Sequence, residues 1–191
     1  MKLTILMPTL VERRDTRKKL VNELLRQTRG HRRDVELSVF EDDGTMFYGR
    51  KMHVMYSQAK GDYVCCVDDD DWVAGNYVEW ILNAIAIGPD VVTFDLYRVD
   101  LAQTWTFGTK YQDREVVGSK IGMTANHLCV WRRELAQSVP WPDETQGADV
   151  AWYTEMQRKY PDALEQHIDA ILYLYFFDRS VSRCHERLDD E

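Results

Sequence analysis

Four consecutive aspartates, Asp68-Asp69-Asp70-Asp71, follow the apolar run Tyr63-Val64-Cys65-Cys66-Val67 and are closed by Trp72. Side chains alternate along an extended backbone, so Asp68 and Asp70 are expected on one side and Asp69 and Asp71 on the other. Like charges crowded at the end of a buried segment repel, and a cation, arginines or helix amides must compensate. Two same-side carboxylates make an oxygen-only site of the kind that takes Mg²⁺ or Mn²⁺, hard ions that share their ligands with substrate phosphates. A solvated acidic loop or a helix N-terminus, where Asp is favoured anyway, is the bland alternative.

Other candidates also stand at segment ends. The loop Pro8-Thr9-Leu10-Val11-Glu12-Arg13-Arg14 brings amides and cations to a strand-to-helix junction, a place suited to anions. Its arginines, with Arg17, Lys18 and Lys19, can equally just solvate a helix face. In Glu41-Asp42-Asp43-Gly44-Thr45, the Asp43-Gly44 pair reads as turn chemistry, whereas Asp42 at a sheet's lip can accept from a ribose hydroxyl or a base N–H. Arg50 and Lys51 open a helical segment, an end that disfavours cations unless an anion is near. Asp149 is expected near a helix start, where the dipole alone favours a carboxylate.

The elements that must hold these residues follow from periodicity. Strands are expected at Leu3–Met7, ended by Pro8, at Val35–Phe40, at Tyr63–Val67 and at Asp90–Tyr97, with helices at Asp15–Thr28, Gly49–Lys60 and Asn76–Ile87 between them. That alternation implies a parallel sheet with right-handed crossovers. After Tyr97 the rhythm changes to an edge-like strand at Gln103–Phe107, a short apolar run at Asn126–Trp131, a turn or two of helix at Arg132–Gln137, a helix from about Asp149 to Lys159 and a last strand at Ile168–Phe177. The expected fold class is therefore α/β, a mostly parallel, Rossmann-like central sheet flanked by helices, with a smaller mixed region.

A length of 191 residues fits one domain, and 45% hydrophobic with 29% charged residues places it among ordered globular chains rather than disordered ones. A net charge of −8 argues mildly against a general affinity for nucleic acid. The four cysteines follow no zinc spacing and no secreted disulfide pattern, so reduced, mostly buried thiols are expected. The start lacks a signal peptide's pattern and no apolar run approaches the roughly 20 residues that span a bilayer, so a cytoplasmic protein without a membrane anchor is expected, virus-encoded forms acting in a host cytoplasm included.

With these elements placed, the sequence resembles nucleotide-sugar glycosyltransferases of the family 2 type, which have the GT-A fold. Ordered matches carry the resemblance: Met7-Pro8-Thr9-Leu10-Val11-Glu12-Arg13; Asp42-Asp43-Gly44-Thr45; Arg50-Lys51 and Ala59-Lys60-Gly61-Asp62-Tyr63 ahead of Asp68-Asp69-Asp70-Asp71-Trp72; and Arg132-Arg133-Glu134-Leu135 followed by Ala148-Asp149. The resemblance implies a donor half over about 1–97 and an acceptor half over about 98–185; the terminal residues 186–191 are expected to form a mobile tail by their position alone. It makes Pro8, Thr9, Arg13, Asp42, Lys51, Asp68 and Asp69 contacts of the nucleotide sugar, a UDP sugar, with Arg50 as alternative to Lys51. Asp70 is the implied principal ligand of Mn²⁺ or Mg²⁺, with Asp68 and a late His beside it, His185 before His167. Asp149 is the implied general base of an inverting transfer, although the usual Glu before it is Ala148 here, which leaves Asp143 or Glu144 as alternatives. The implied acceptor is a soluble hydroxyl compound, a glycan or a hydroxylated DNA base. A nucleotidyltransferase making an activated sugar and a non-catalytic nucleotide-sugar binder are the competing readings; the glycine-free first loop argues against the former.

Overall fold

The computed structural model describes residues 1–177. Its first strand, β1 (Leu3–Leu10), is buried along its whole length and runs through Pro8 instead of stopping there. Two parallel neighbours flank it, β2 (Val35–Asp42) along all eight residues and β3 (Tyr63–Cys66) from Leu3 to Leu6. The Leu6 carbonyl accepts from Val67 N–H, so Leu6 and Pro8 both face the β3 side, and there β3 has ended by the level of Pro8. A missing N–H costs nothing at that point. Helices α1 (Arg14–Thr28) and α2 (Tyr48–Gln58) make the two crossovers, burying Leu20 and Leu24 from one and Met52, Met55 and Tyr56 from the other.

Trp72–Val73 (β4), α3 (Tyr77–Ile85) and β5 (Val91–Arg98) follow, and then β6 (Gln103–Gly108), β7 (Glu115–Val117), β8 (Lys120–Thr124) and β9 (Val130–Arg132). The expected parallel strands are present, but the fourth does not lie beside the third. β9 wedges antiparallel between them, pairing Val64 with Trp131 on one side and Val91 with Trp131 on the other. Cys129, Val130 and Trp131 are almost wholly buried, and an apolar run of that kind is best covered on both faces inside a sheet. The second half of the chain thus completes the core of the first. After α4 (Arg133–Gln137) and α5 (Ala148–Lys159), β10 (Glu165–Tyr175) runs parallel to β5 with a bulge between Ile168 and Ile171, and pairs antiparallel with β4. It begins three residues earlier than its apolar pattern suggests, because the polar Glu165 and His167 are satisfied by Thr93 and Thr109.

The segment ahead of α5 is fastened to the first turn of α2. Gly49 N–H donates to Glu144 O at 2.8 Å, and a Cβ at position 49 would lie 1.9 Å from Pro142 O and 3.1 Å from the Ala148 Cβ. Trp141 stacks on Trp152 with centroids 4.9 Å apart, and Tyr56 leans on both rings. Replacing Gly49 by Ala forces this backbone apart, and a loss of about 2 kcal/mol or more in urea unfolding is expected. An unchanged midpoint would show that the approach is not tight.

Candidate active site

One cavity of about 510 Å³ opens at the carboxyl ends of β1 and β3, and it gathers residues from across the sequence: Pro8, Thr9, Arg13, Lys51, Asp68, Asp69, Asp70 and Asp149 all line it. The carboxyl edge of an open α/β sheet is where such clefts form.

The aspartates divide as their parity suggests, although the backbone turns rather than continuing β3, Asp71 N–H reaching the Asp68 carbonyl at 3.3 Å. Asp69 is buried and fully engaged: Thr9 Oγ1 donates to it at 2.5 Å and Arg13 at 2.7 Å. Asp71 is buried as well, accepting from Tyr173 OH and from Phe176 N–H, each at 2.8 Å. Burial, then the charge of Asp68, pushes its carboxyl well above the usual carboxylate range despite those donors. Tyr173 OH also accepts from Asp68 N–H at 3.0 Å, so a single side chain clamps the turn from both ends. Asp68 and Asp70 remain open to the cavity, their side chains 25% and 27% exposed. Burial and the charge of Asp68 push Asp70 up to about 6, against the pull of Arg13 3.3 Å away.

The chemistry of this donor set suits a hard divalent ion. Arg13 is one cation facing both Asp69 and Asp70, and the open carboxylates of Asp68 and Asp70 repel each other enough to perturb the latter. His127, which the sequence reading missed, stands on the other side of Asp68, with Nε2 at 3.6 Å. Burial works against its charge, but the hydrogen bond and charge of Asp68, and then the charge of Asp149, raise it. No periodic signal marks His127; it lies in the run that enters the wedge strand β9. Cys66 donates to Asp68 from behind at 3.7 Å, and its thiol, like those of Cys65 and Cys129, is raised by burial and inert.

Lys51 is buried at the cavity's other end, donating to Asp42 and to Thr9 O at 3.1 Å. Asp42 lies behind it rather than on the cavity wall, and its Oδ2 is buried with no hydrogen-bond partner. Arg50 is exposed and outside the cavity. Asp149 sits in the first turn of α5 after Gly147, whose φ of 71° suits glycine. Asp143 and Glu144 are exposed and do not line the cavity, while Ala148 is fully buried against Gly49, which leaves no room for a Glu. His167 belongs to a different cluster, with Asp95 and Asp169, and His185 lies outside the described residues.

Two further lining groups were not anticipated. Tyr153, one helical turn beyond Asp149, donates to Asp113, and i, i+4 spacing from Asp149 is the signal that would have found it. Arg98, at the end of β5, is buried between Asp100 at 2.8 Å and the ring of Trp105 at 4.8 Å. Of the aromatics of the second half, Trp105, Phe107, Tyr153 and Tyr175 reach the cavity, whereas Trp131, Trp141 and Trp152 are core.

Residues 47–137 match the family model described as Glycosyl transferase family 2. Among solved structures, S. aureus TarS 1-349 in complex with UDP-GlcNAc is similar at a TM-score of 0.69 and 19% identity, over 93% of this chain and 59% of that one. The complex of the same protein with UDP gives 0.68 and 19%, over 93% and 61%. A197 from STIV gives 0.55 and 13%, over 93% and 87%. This chain thus spans about 60% of the length of the TarS 1-349 structures. No curated protein sequence matches significantly. Among the described residues, no helix is long and apolar enough to cross a membrane.

Proposed function

We propose that this chain, a glycosyltransferase of the family 2 type with the GT-A fold, takes a sugar from a UDP sugar and delivers it with inversion to an acceptor hydroxyl. The observation that carries the proposal is the convergence of Asp68, Asp70 and Asp149, from distant parts of the chain, on one cavity with the cations Arg13 and Lys51.

In this reading the nucleoside lies along Pro8 and Thr9, and the buried Lys51–Asp42 pair backs the wall behind them. Arg13 faces the diphosphate, and Asp69 acts through Arg13, which it orients. Asp68 and Asp70 would hold Mn²⁺ or Mg²⁺, which when bound neutralises charge growing on the leaving diphosphate. Asp149 accepts the proton of the acceptor hydroxyl as that oxygen attacks the anomeric carbon, and the carbon–oxygen bond to the UDP breaks. Ala148 leaves Asp149 as the one carboxylate of its motif that can serve. Residues from 98 onward supply the acceptor side, where Tyr153, Asp113 and Trp105 offer hydrogen bonds and an aromatic face to a glycan or to a hydroxylated base.

The test is incubation of the chain with a panel of UDP sugars and Mn²⁺, with acceptors that include oligosaccharides and hydroxymethylated DNA, read as UDP release and acceptor mass. A mass gain of one sugar with release of UDP is expected. Pyrophosphate release from a nucleoside triphosphate and a sugar phosphate, with no UDP release from any UDP sugar, would replace this reading by nucleotidyl transfer.

A further inference from the structure

A second group of ligating side chains lies on the sheet's opposite face. Leu96, Arg98, Trp105, Phe107 and Met123 face the donor cavity, so alternation turns Asp95 on β5 and Lys120 on β8 the other way. There Asp95, His167 and Asp169 bring one ligand atom each to within 4.8 Å of the others. His167 pairs beside Thr93 and Ile168 beside Phe94, so Asp169 follows at the level of Asp95, at the start of the bulge that runs from Ile168 to Ile171.

The hydrogen bonds fix the state of the imidazole. Glu165 Oε2 accepts from Thr109 N–H at 3.0 Å and from Thr109 Oγ1 at 2.8 Å, and its Oε1 takes the hydroxyl proton of Thr93. With that proton committed, Thr93 Oγ1 can only accept from His167 Nδ1, 2.9 Å away. Nδ1 therefore carries a hydrogen, and in the neutral ring Nε2 presents a lone pair. It points at Asp95 Oδ1, 3.7 Å away, an oxygen that is buried and has no hydrogen-bond partner on a side chain only 4% exposed. With the ring neutral, two acceptors face each other across that distance. The other Asp95 oxygen and Asp169 are bridged by Lys120, at 2.6 and 2.8 Å, so the lysine occupies the outer oxygens and not the gap.

We infer that the Asp95–His167–Asp169 cluster is a binding site for a zinc-class divalent cation, independent of the donor cavity and of any reading of it. Imidazole with carboxylates is the ligand set of Zn²⁺ and its neighbours rather than of Mg²⁺. Metal–ligand bonds of about 2.0–2.2 Å place tetrahedral ligands roughly 3.4 Å apart, close to the observed Nε2–Oδ1 separation. The Glu165–Thr93–His167 relay orients the ring as carboxylates behind metal-bound histidines do, and Lys120 plays the same part for the aspartates. His167 and Asp169 are open to solvent, which leaves water to complete the coordination.

The whole chain, stripped with a chelator and held in excess Mg²⁺ to occupy the hard-oxygen site, is titrated with Zn²⁺ against a chromophoric chelator. A Zn²⁺ site is expected whose affinity is lowered about tenfold or more in His167→Gln and in Asp169→Asn, since even outer-shell losses cost about 10–100-fold. Asp169 is 85% exposed, so its variant folds whatever His167→Gln does. Retention of no Zn²⁺, or equal affinity in the parent and both variants, assigns the gap to a proton on His167 and overturns the site.

Discussion

Asp149→Asn is expected to slow transfer while leaving the donor bound: with Asp149 as the proposed general base, kcat falls by about 10²–10⁴-fold, the range such a positioned base contributes. Asn has the same shape and still suits the first turn of α5, so Trp152 keeps its stack on Trp141 and the thermal midpoint holds. UDP affinity is expected to stay, because the residues proposed to hold the nucleoside and diphosphate stand on β1, α2 and the aspartate turn, not on α5. Activity measured as acceptor glycosylation, beside calorimetric UDP binding, separates the two. Loss of both together would mean that Asp149 shapes the cavity; loss of neither would move the base elsewhere. Asp143→Asn and Glu144→Gln are the controls, and both should be active, because their carboxylates are exposed outside the cavity.

The readable parts of this chain were those where burial and chain direction act alone. A continuous apolar run bounded by charge gave β1, β3 and β5, and helix spacing gave the crossovers, because each depends only on neighbours in sequence. The aspartate turn was legible for the same reason: parity separates the buried Asp69 and Asp71 from the open Asp68 and Asp70 even where the strand ends. What escaped depends on contacts between distant segments. Nothing in Asn126–Trp131 says that it enters between β3 and β5, yet that insertion puts His127 against Asp68. Arg98 was hidden because its role depends on Trp105 across a hairpin and on Asp100 beside it. Ala148 reads as a gap in a motif until the packing shows that Gly49 approaches too closely for anything larger.

Asp70→Asn is expected to lose transfer by about 10²–10³-fold, the scale of removing one group that stabilises developing charge, and yet to gain stability. Asp70 has its carboxyl raised from 3.8 to about 6. A raised carboxyl is less costly to the fold when protonated, so its contribution is intact below about pH 4 and is lost as pH rises through about 6. At pH 7 the ionised group therefore costs the fold up to roughly 3 kcal/mol, because a carboxyl loses about 1.36 kcal/mol for every tenfold weakening of its acidity. The amide removes that cost while keeping an oxygen near Arg13. Urea unfolding in EDTA should show Asp70→Asn more stable than the parent at pH 7 and the two converging toward pH 4. Asp69→Asn should behave in the opposite way, because it breaks a buried pair with Arg13 and the acceptor of Thr9, and a loss of about 3 kcal/mol is expected. A variant at Asp70 that is both less stable and fully active would make it a mere partner of Arg13. The opposed signs at adjacent residues are the mark of a site in which one carboxylate builds the turn and the next is held there, at a cost in stability, for a ligand.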